Sequence, residues 1–150
     1  MVTDCTSKDR LRLWLRLLRS SRAIENELRE RLRREFDVTL PRFDVLAALH
    51  REPNGMLMSE LSRYLMVSNG NVTGIIDRLE ADGQVVRARR DGDRRASIVR
   101  LTEKGRTEFE AMAGEHETWV AELLGTLVPD DVEKLSTVLH DFNLNWGTKA

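Results

Sequence analysis

Cys5 is the only cysteine among 150 residues. No intrachain disulfide can form, and one chain cannot build a thiol-based metal site. Also lacking is any run of about 18 apolar residues such as a membrane span needs. The first stretch, "MVTDCTSKDRLRLWLRLL", carries charges inside its apolar part, which fits neither a signal peptide nor a membrane span. The expectation is a cytoplasmic protein without a membrane partner. No internal repeat and no low-complexity tract is present, and the length suits one ordinary domain rather than two.

Net charge is nearly absent as well, at -1, but the balance hides an asymmetry. Residues 8 to 100 hold 20 Lys+Arg against 14 Asp+Glu, net +6, whereas residues 101 to 150 hold 4 against 10, net -6. The first two-thirds could therefore face a polyanion.

Residues 9 to 36 contain neither Pro nor Gly and read as one long helix. Leu11, Trp14, Leu15 and Leu18 keep helical spacing, Ile24, Leu28, Leu32 and Phe36 continue the stripe, and Leu13 and Leu17 add a second apolar edge. A helix apolar on more than one side needs more than one packing partner, so this one predicts dimerisation. Pro41 suits a helix start, and "RFDVLAALHRE" buries Phe43, Leu46, Ala47 and Leu49 or His50 before "PNG" ends it.

"MLMSELSRYLMVSNGNVTGIIDRLEADG" then reads as two helices joined by a turn of a few residues. Leu61, Tyr64 and Leu65 mark the first; Val67 and Ser68 form the connection, with Ser68 as N-cap of a helix running to about Ala81. In that second helix Val72, Ile75, Ile76 and Leu79 form the inward face. Gly70, Asn71, Thr73, Gly74, Asp77 and Arg78 are left outward, small and polar with one cation. After Gly83, "QVVRARRDGDRRASIVRL" reads as a two-stranded hairpin with five arginines between positions 87 and 95 at its tip. Thr102 caps a long amphipathic helix from Glu103 to about Leu127, and Pro129 starts a last one through Val132, Leu135, Val138, Leu139, Phe142 and Trp146.

Helix, tight turn, polar-faced helix and basic hairpin make up the layout of a winged helix-turn-helix. A small polar helix face can enter the major groove, where Asn and Thr meet base edges and Gly lets the backbone come close. Arginines on a projecting hairpin can reach phosphates or a narrow minor groove. An arginine-rich turn alone could simply be solvated, but in this order and spacing both elements can meet one duplex.

Residues 61 to 105, "LSRYLMVSNGNVTGIIDRLEADGQVVRARRDGDRRASIVRLTEKG", resemble the multiple-antibiotic-resistance regulator (MarR) family. Its wing signature of Asp-Arg-Arg followed by a Leu-Thr-x-x-Gly helix start corresponds to Asp93, Arg94, Arg95, Leu101, Thr102 and Gly105. The resemblance implies a mainly α fold: a winged helix-turn-helix module over 41–101, with dimerisation helices over 9–36 and 103–147. It also implies a homodimer with the first and last two helices interlocked, reading a pseudo-palindromic operator as a ligand-responsive regulator, usually a repressor. Within it Ser68, Asn69, Asn71, Thr73 and Arg78 belong to the recognition helix, and Arg89, Arg90, Arg94 and Arg95 to the wing. Arg94 would enter the minor groove and Asp93 would anchor the wing. Two departures stand out: Met66 where the family often has Gly, and Leu57 where Ser or Thr commonly caps the preceding helix.

Other constellations point away from catalysis. His50, His116 and His140 fall on three predicted helices without the spacing of a metal pair, and no cysteine is near them. Gly70 and Gly74 are too few for a phosphate loop, and the pairs Glu115/Glu117 and Asp130/Asp131 suit solvation and a helix dipole. No enzyme, metal or cofactor is expected. Trp14, Leu18, Arg22, Phe43, Leu46, His50, Met112 and Trp119 could converge into a mostly apolar cleft for a small aromatic carboxylate or its coenzyme A thioester. "GMLMSELSRYL" resembles the regulators of aromatic-acid catabolism. Two alternatives remain: an oxidant sensor using Cys5, although Lys8 and Arg10 are the only cations near it in the sequence, and a protein-interaction winged helix that never touches DNA.

Overall fold

A computed structural model of the chain describes residues 4–65, 69–89 and 97–147. Six helices and three short strands follow in the order α1 (Ser7–Phe36), α2 (Leu40–His50), β1 (Met56–Leu57), α3 (Met58–Leu65), α4 (Asn69–Ala81), β2 (Val85–Arg89), β3 (Ser97–Leu101), α5 (Glu103–Leu123) and α6 (Pro129–Gly147). The architecture is mainly α, with a small antiparallel sheet.

α1 starts two residues earlier than its apolar stripe suggests, because Thr6 and Asp9 form a capping box: Asp9 N–H donates to Thr6 Oγ1 at 3.2 Å and Thr6 N–H to Asp9 Oδ2 at 2.9 Å. The Thr6 hydroxyl also donates to Asp9 Oδ2 at 2.7 Å, and this bond together with that from the Thr6 N–H holds the Asp9 carboxyl below its usual range. α1 ends where Asp37 turns left-handed, φ 52°, and donates its N–H to the Arg33 carbonyl. Thr39 then caps α2, with Pro41 in the first turn where its missing N–H costs nothing.

Leu57 lacks the hydroxyl that a capping residue would bring, yet α3 still starts there. The Glu60 carboxylate reaches back to the Leu57 N–H at 3.1 Å, which is the acidic half of a capping box. Tyr64 does not belong to the inward face of α3: it is exposed, and its hydroxyl accepts from Arg51 at 2.8 Å. Met66 lies outside the described residues.

The core centres on α2, whose Phe43, Val45, Leu46, Ala48 and Leu49 are buried among Leu28 and Leu32 of α1, Leu61 of α3, Val72, Ile76 and Leu79 of α4, and Phe109, Met112 and Trp119 of α5. Burying each of the larger side chains contributes about 1.5–3 kcal/mol, so this cluster dominates the stability of the module. The sheet order is β1-β3-β2, with Val85 opposite Leu101 and Arg89 opposite Ser97. Strand β1, absent from the sequence reading, adds Met56 and Leu57 opposite Val99 and Ile98.

α5 stops at Leu123 rather than near Leu127. Leu124 N–H still donates to the Val120 carbonyl at 3.0 Å, but the N–H of Gly125 turns to the Glu122 carbonyl at 3.1 Å, so the chain tightens into a turn. α6 is exposed along its length, as are Leu11, Leu13, Trp14, Leu15 and Leu17 in the first half of α1. Among the described residues no helix is long and apolar enough to cross a membrane.

Candidate nucleic-acid interface

α4 takes its orientation from its buried stripe of Val72, Ile76 and Leu79, with Ile75 half-buried at the edge. That stripe turns Asn71, Thr73, Gly74, Asp77 and Arg78 outward, and all five are exposed. A Cβ added at Gly74 would meet nothing within 4 Å, so the helix offers open backbone at the middle of this face. Asn69 opens the helix. Ser68, Arg90, Asp93, Arg94 and Arg95 lie outside the described residues; Arg89 is exposed at the end of β2, the last described position before the tip.

The hairpin is tied to α4 by Arg87. Its guanidinium donates to Asp77 Oδ1 and, at 3.2 Å, to Glu80 Oε1. The Glu80 and Asp77 carboxylates hold its pKa above the ordinary arginine value. One of the five arginines in the 87–95 cluster is thus paired inside the module. The sequence showed the charge; it did not show that two carboxylates in the preceding helix would meet it.

The far end of α4 is closed by a Schellman turn. Gly83, φ 75°, donates to the Glu80 carbonyl at 3.0 Å and Gln84 to the Leu79 carbonyl at 2.9 Å. The first turn of α5 is clasped onto this corner. Thr102 N–H donates to the Gln84 carbonyl at 3.0 Å, Thr102 Oγ1 to the Gly83 carbonyl at 2.7 Å, and Gln84 Nε2 to Glu108 at 2.6 Å. Lys104 Nζ donates to the Asp82 carbonyl at 2.8 Å. α4, the start of the β2–β3 hairpin and the long α5 therefore share one hydrogen-bonded corner.

Of the residues expected to form an aromatic-acid cleft, Phe43, Leu46, Met112 and Trp119 are buried in the core, and His50 sits at its edge. The His50 ring lies 5.0 Å from Phe109, and its Nε2 is 3.2 Å from Glu110. His116 stacks on Phe43 at 4.5 Å, and burial holds its pKa below the usual histidine value. Trp14 and Arg22 are exposed on α1 and Leu18 is half-buried; within one chain these three do not join the core cluster. His140 is exposed on α6, so the three histidines do not meet.

The MarR family profile matches residues 36–96, from the end of α1 to just before β3. A MarR family transcriptional regulator from Silicibacter pomeroyi superposes with a TM-score of 0.78 at 33% identity, covering 93% of this chain and 96% of that one. The chain belongs to the MarR family. AbsC, a MarR family regulator from Streptomyces coelicolor, gives a TM-score of 0.80 at 26% identity over 95% of this chain and 97% of its own. The transcriptional activatory protein BadR of Rhodopseudomonas palustris is 40% identical over 98 residues, 63% of this chain. That match spans only 56% of the length of BadR. MarR proteins are DNA-binding transcriptional regulators, not enzymes, and the winged helix-turn-helix with long terminal helices is the fold found here.

Proposed function

We propose that this MarR-family protein binds a pseudo-palindromic operator as a homodimer and is released from it by a small aromatic acid or its coenzyme A thioester. The observation that carries the reading is the outward face of α4. It is small, polar and open at Gly74, and Arg87 holds it beside a basic hairpin. Asn71 and Thr73 then read base edges, Ser68, Asn69 and Arg78 approach the flanking backbone, and Arg89, Arg90, Arg94 and Arg95 meet phosphates or the minor groove, with Asp93 bracing the wing. Repression as the direction of control rests on the family resemblance.

For the effector, the resemblance to regulators of aromatic-acid catabolism supports a carboxylate-bearing ring. The exposed Trp14 and Arg22 and the half-buried Leu18 of one protomer, closing over His50 and the Phe43, Leu46, Met112 and Trp119 core of the other, would supply an apolar pocket with a cation at its mouth. Such a ligand releases DNA only if it binds better to the protomer spacing that does not fit the operator.

Selection of bound duplexes from a random pool supplies the site on which to test this. Asn71→Ala and Thr73→Ala are each expected to cost about 1–3 kcal/mol on the selected site while sparing nonspecific binding. Arg94→Ala should weaken binding about tenfold and reduce the slope of log K against log salt by about 0.9. Equal losses on all sequences, with an unchanged salt slope, would refute the assignment.

A further inference from the structure

Thr73 and Gly74 stand one turn before Asp77 on α4 and Ala81 one turn after it, so the four share a strip of the outward face. All four are exposed, and the space around a Cβ at Gly74 is empty to 4 Å. An aspartate is short, and it reaches a base edge only where the backbone itself comes close. Glycine before it and alanine after it permit that approach. Asp77 is also the only acid among Asn71, Thr73, Gly74, Asp77 and Arg78, the residues that the buried stripe turns outward.

A carboxylate on a face that meets DNA is repelled by the phosphates, so its place there needs a reason. Holding the wing does not supply one. Glu80 alone grips Arg87 through both oxygens: Arg87 Nε donates to Oε2 at 3.4 Å and Nη2 to Oε1 at 3.2 Å, a two-point pairing. Asp77 adds a contact from the same Nη2 to its Oδ1. Its Oδ2 accepts from no described residue, and the side chain stays 58% exposed. The bond to Arg87 therefore fixes the carboxylate in place without using it up. An ionised carboxylate can only accept hydrogen bonds. In the major groove guanine offers two acceptors, thymine an acceptor beside a methyl group, and adenine an amino donor beside the acceptor N7. Cytosine alone presents a donor, its 4-amino group, with no acceptor next to it.

We propose that Asp77 reads a cytosine in each half-site: the 4-amino group donates to the carboxylate oxygen that Arg87 leaves free, and guanine or thymine at that position is rejected because acceptor meets carboxylate. Asp77 is then a specificity residue that excludes wrong bases as well as selecting the right one. The inference rests on the DNA-binding reading above and adds to it a contact that neither Asn71 nor Thr73 supplies.

The test takes the duplex selected by the wild-type protein, replaces each base pair in turn, and measures affinity for wild type, Asp77→Ala and Asp77→Asn. Wild type is expected to need a C·G pair at one position of each half-site, and to lose about tenfold when guanine or thymine replaces that cytosine. Asp77→Ala should bind all four pairs at that position within about twofold and keep its preferences elsewhere. It should also hold nonspecific duplex at least as tightly as wild type, because a negative charge has left the interface. Asp77→Asn keeps an acceptor for Arg87 but can also donate, so it should move the preference at that position to adenine. Thermal melts check that both variants fold. An equal loss by Asp77→Ala on every duplex would make the residue a support of the wing and overturn the base contact. A selected site on which Asn71→Ala and Arg94→Ala lose affinity while Asp77→Ala keeps every base preference would overturn this inference alone. A protein that selects no duplex would overturn the DNA-binding reading and this inference with it.

Discussion

Two glycines in this chain stand in opposite environments, and the contrast separates a position where packing requires glycine from one where it does not. At Gly105 a Cβ would lie 2.0 Å from the Gln84 carbonyl oxygen and 2.8 Å from its carbon, both backbone atoms fixed by the corner that joins α4 to α5. Gly105→Ala must push that corner open, and overpacking of this kind costs on the order of 1–3 kcal/mol. A thermal melt should register the loss with or without DNA. At Gly74 the space around a Cβ is empty, and the residue sits in the interior of an exposed helix where glycine is about 1 kcal/mol worse than alanine. Gly74→Ala is therefore expected to raise the melting temperature while lowering affinity for the selected duplex, because the methyl keeps the backbone away from the groove. A variant that gains stability and binds DNA as well as wild type would remove Gly74 from the interface.

Between elements, the Arg87 pairing sets how the wing stands relative to the recognition helix. Both carboxylates are largely exposed, so the pair itself is worth little stability, about 1 kcal/mol or less. Its effect belongs to geometry: Arg87→Gln frees β2 from Asp77 and Glu80, and DNA affinity should fall further than thermal stability does. The salt slope should stay unchanged, since Arg87 touches carboxylates rather than phosphate; a slope reduced by about 0.9 would instead make it a DNA contact. Much at this scale was legible beforehand. The helical stripes of α1, α2, α4 and α5 and the alternation of β2 and β3 follow from simple periodicity. Strand β1 escaped notice because two residues, Met56 and Leu57, cannot show alternation. The end of α5 was set too late because Leu124 and Leu127 continue the apolar spacing past the turn that Gly125 forms. Periodicity alone does not separate a core aromatic from a pocket wall, and Phe43 and Trp119 are buried in the core cluster.

At the scale of the whole molecule, one protomer leaves its two ends uncovered. Trp14 is 54% exposed on α1, and Phe142 and Trp146 are 58% and 65% exposed on α6, where they stack on each other at 5.9 Å. Leu11, Leu15, Leu135 and Leu139 extend both faces. Monomeric proteins seldom show contiguous apolar surface of this extent, since each buried leucine-sized side chain would contribute about 1.5–3 kcal/mol. Charge favours the same partner. The exposed half of α1 carries Arg10, Arg12, Arg16, Arg19 and Arg22, whereas α6 presents Asp130, Asp131, Glu133 and Asp141, so α1 of one copy and α6 of another are complementary in sign as well as apolar. A two-fold pair built this way satisfies both ends of both chains at once, as an isologous interface requires. Sedimentation should accordingly give a dimer at micromolar concentration. That dimer should persist in high salt, because burial rather than charge supplies most of its stability. Trp146→Asp should shift it toward monomer, and the selected duplex should carry half-sites about 10 base pairs apart, one turn of the helix, as two recognition helices on one face demand. A wild-type chain that sediments as a stable monomer, or a selected site with a single half, would leave the exposed α6 without the partner argued for here.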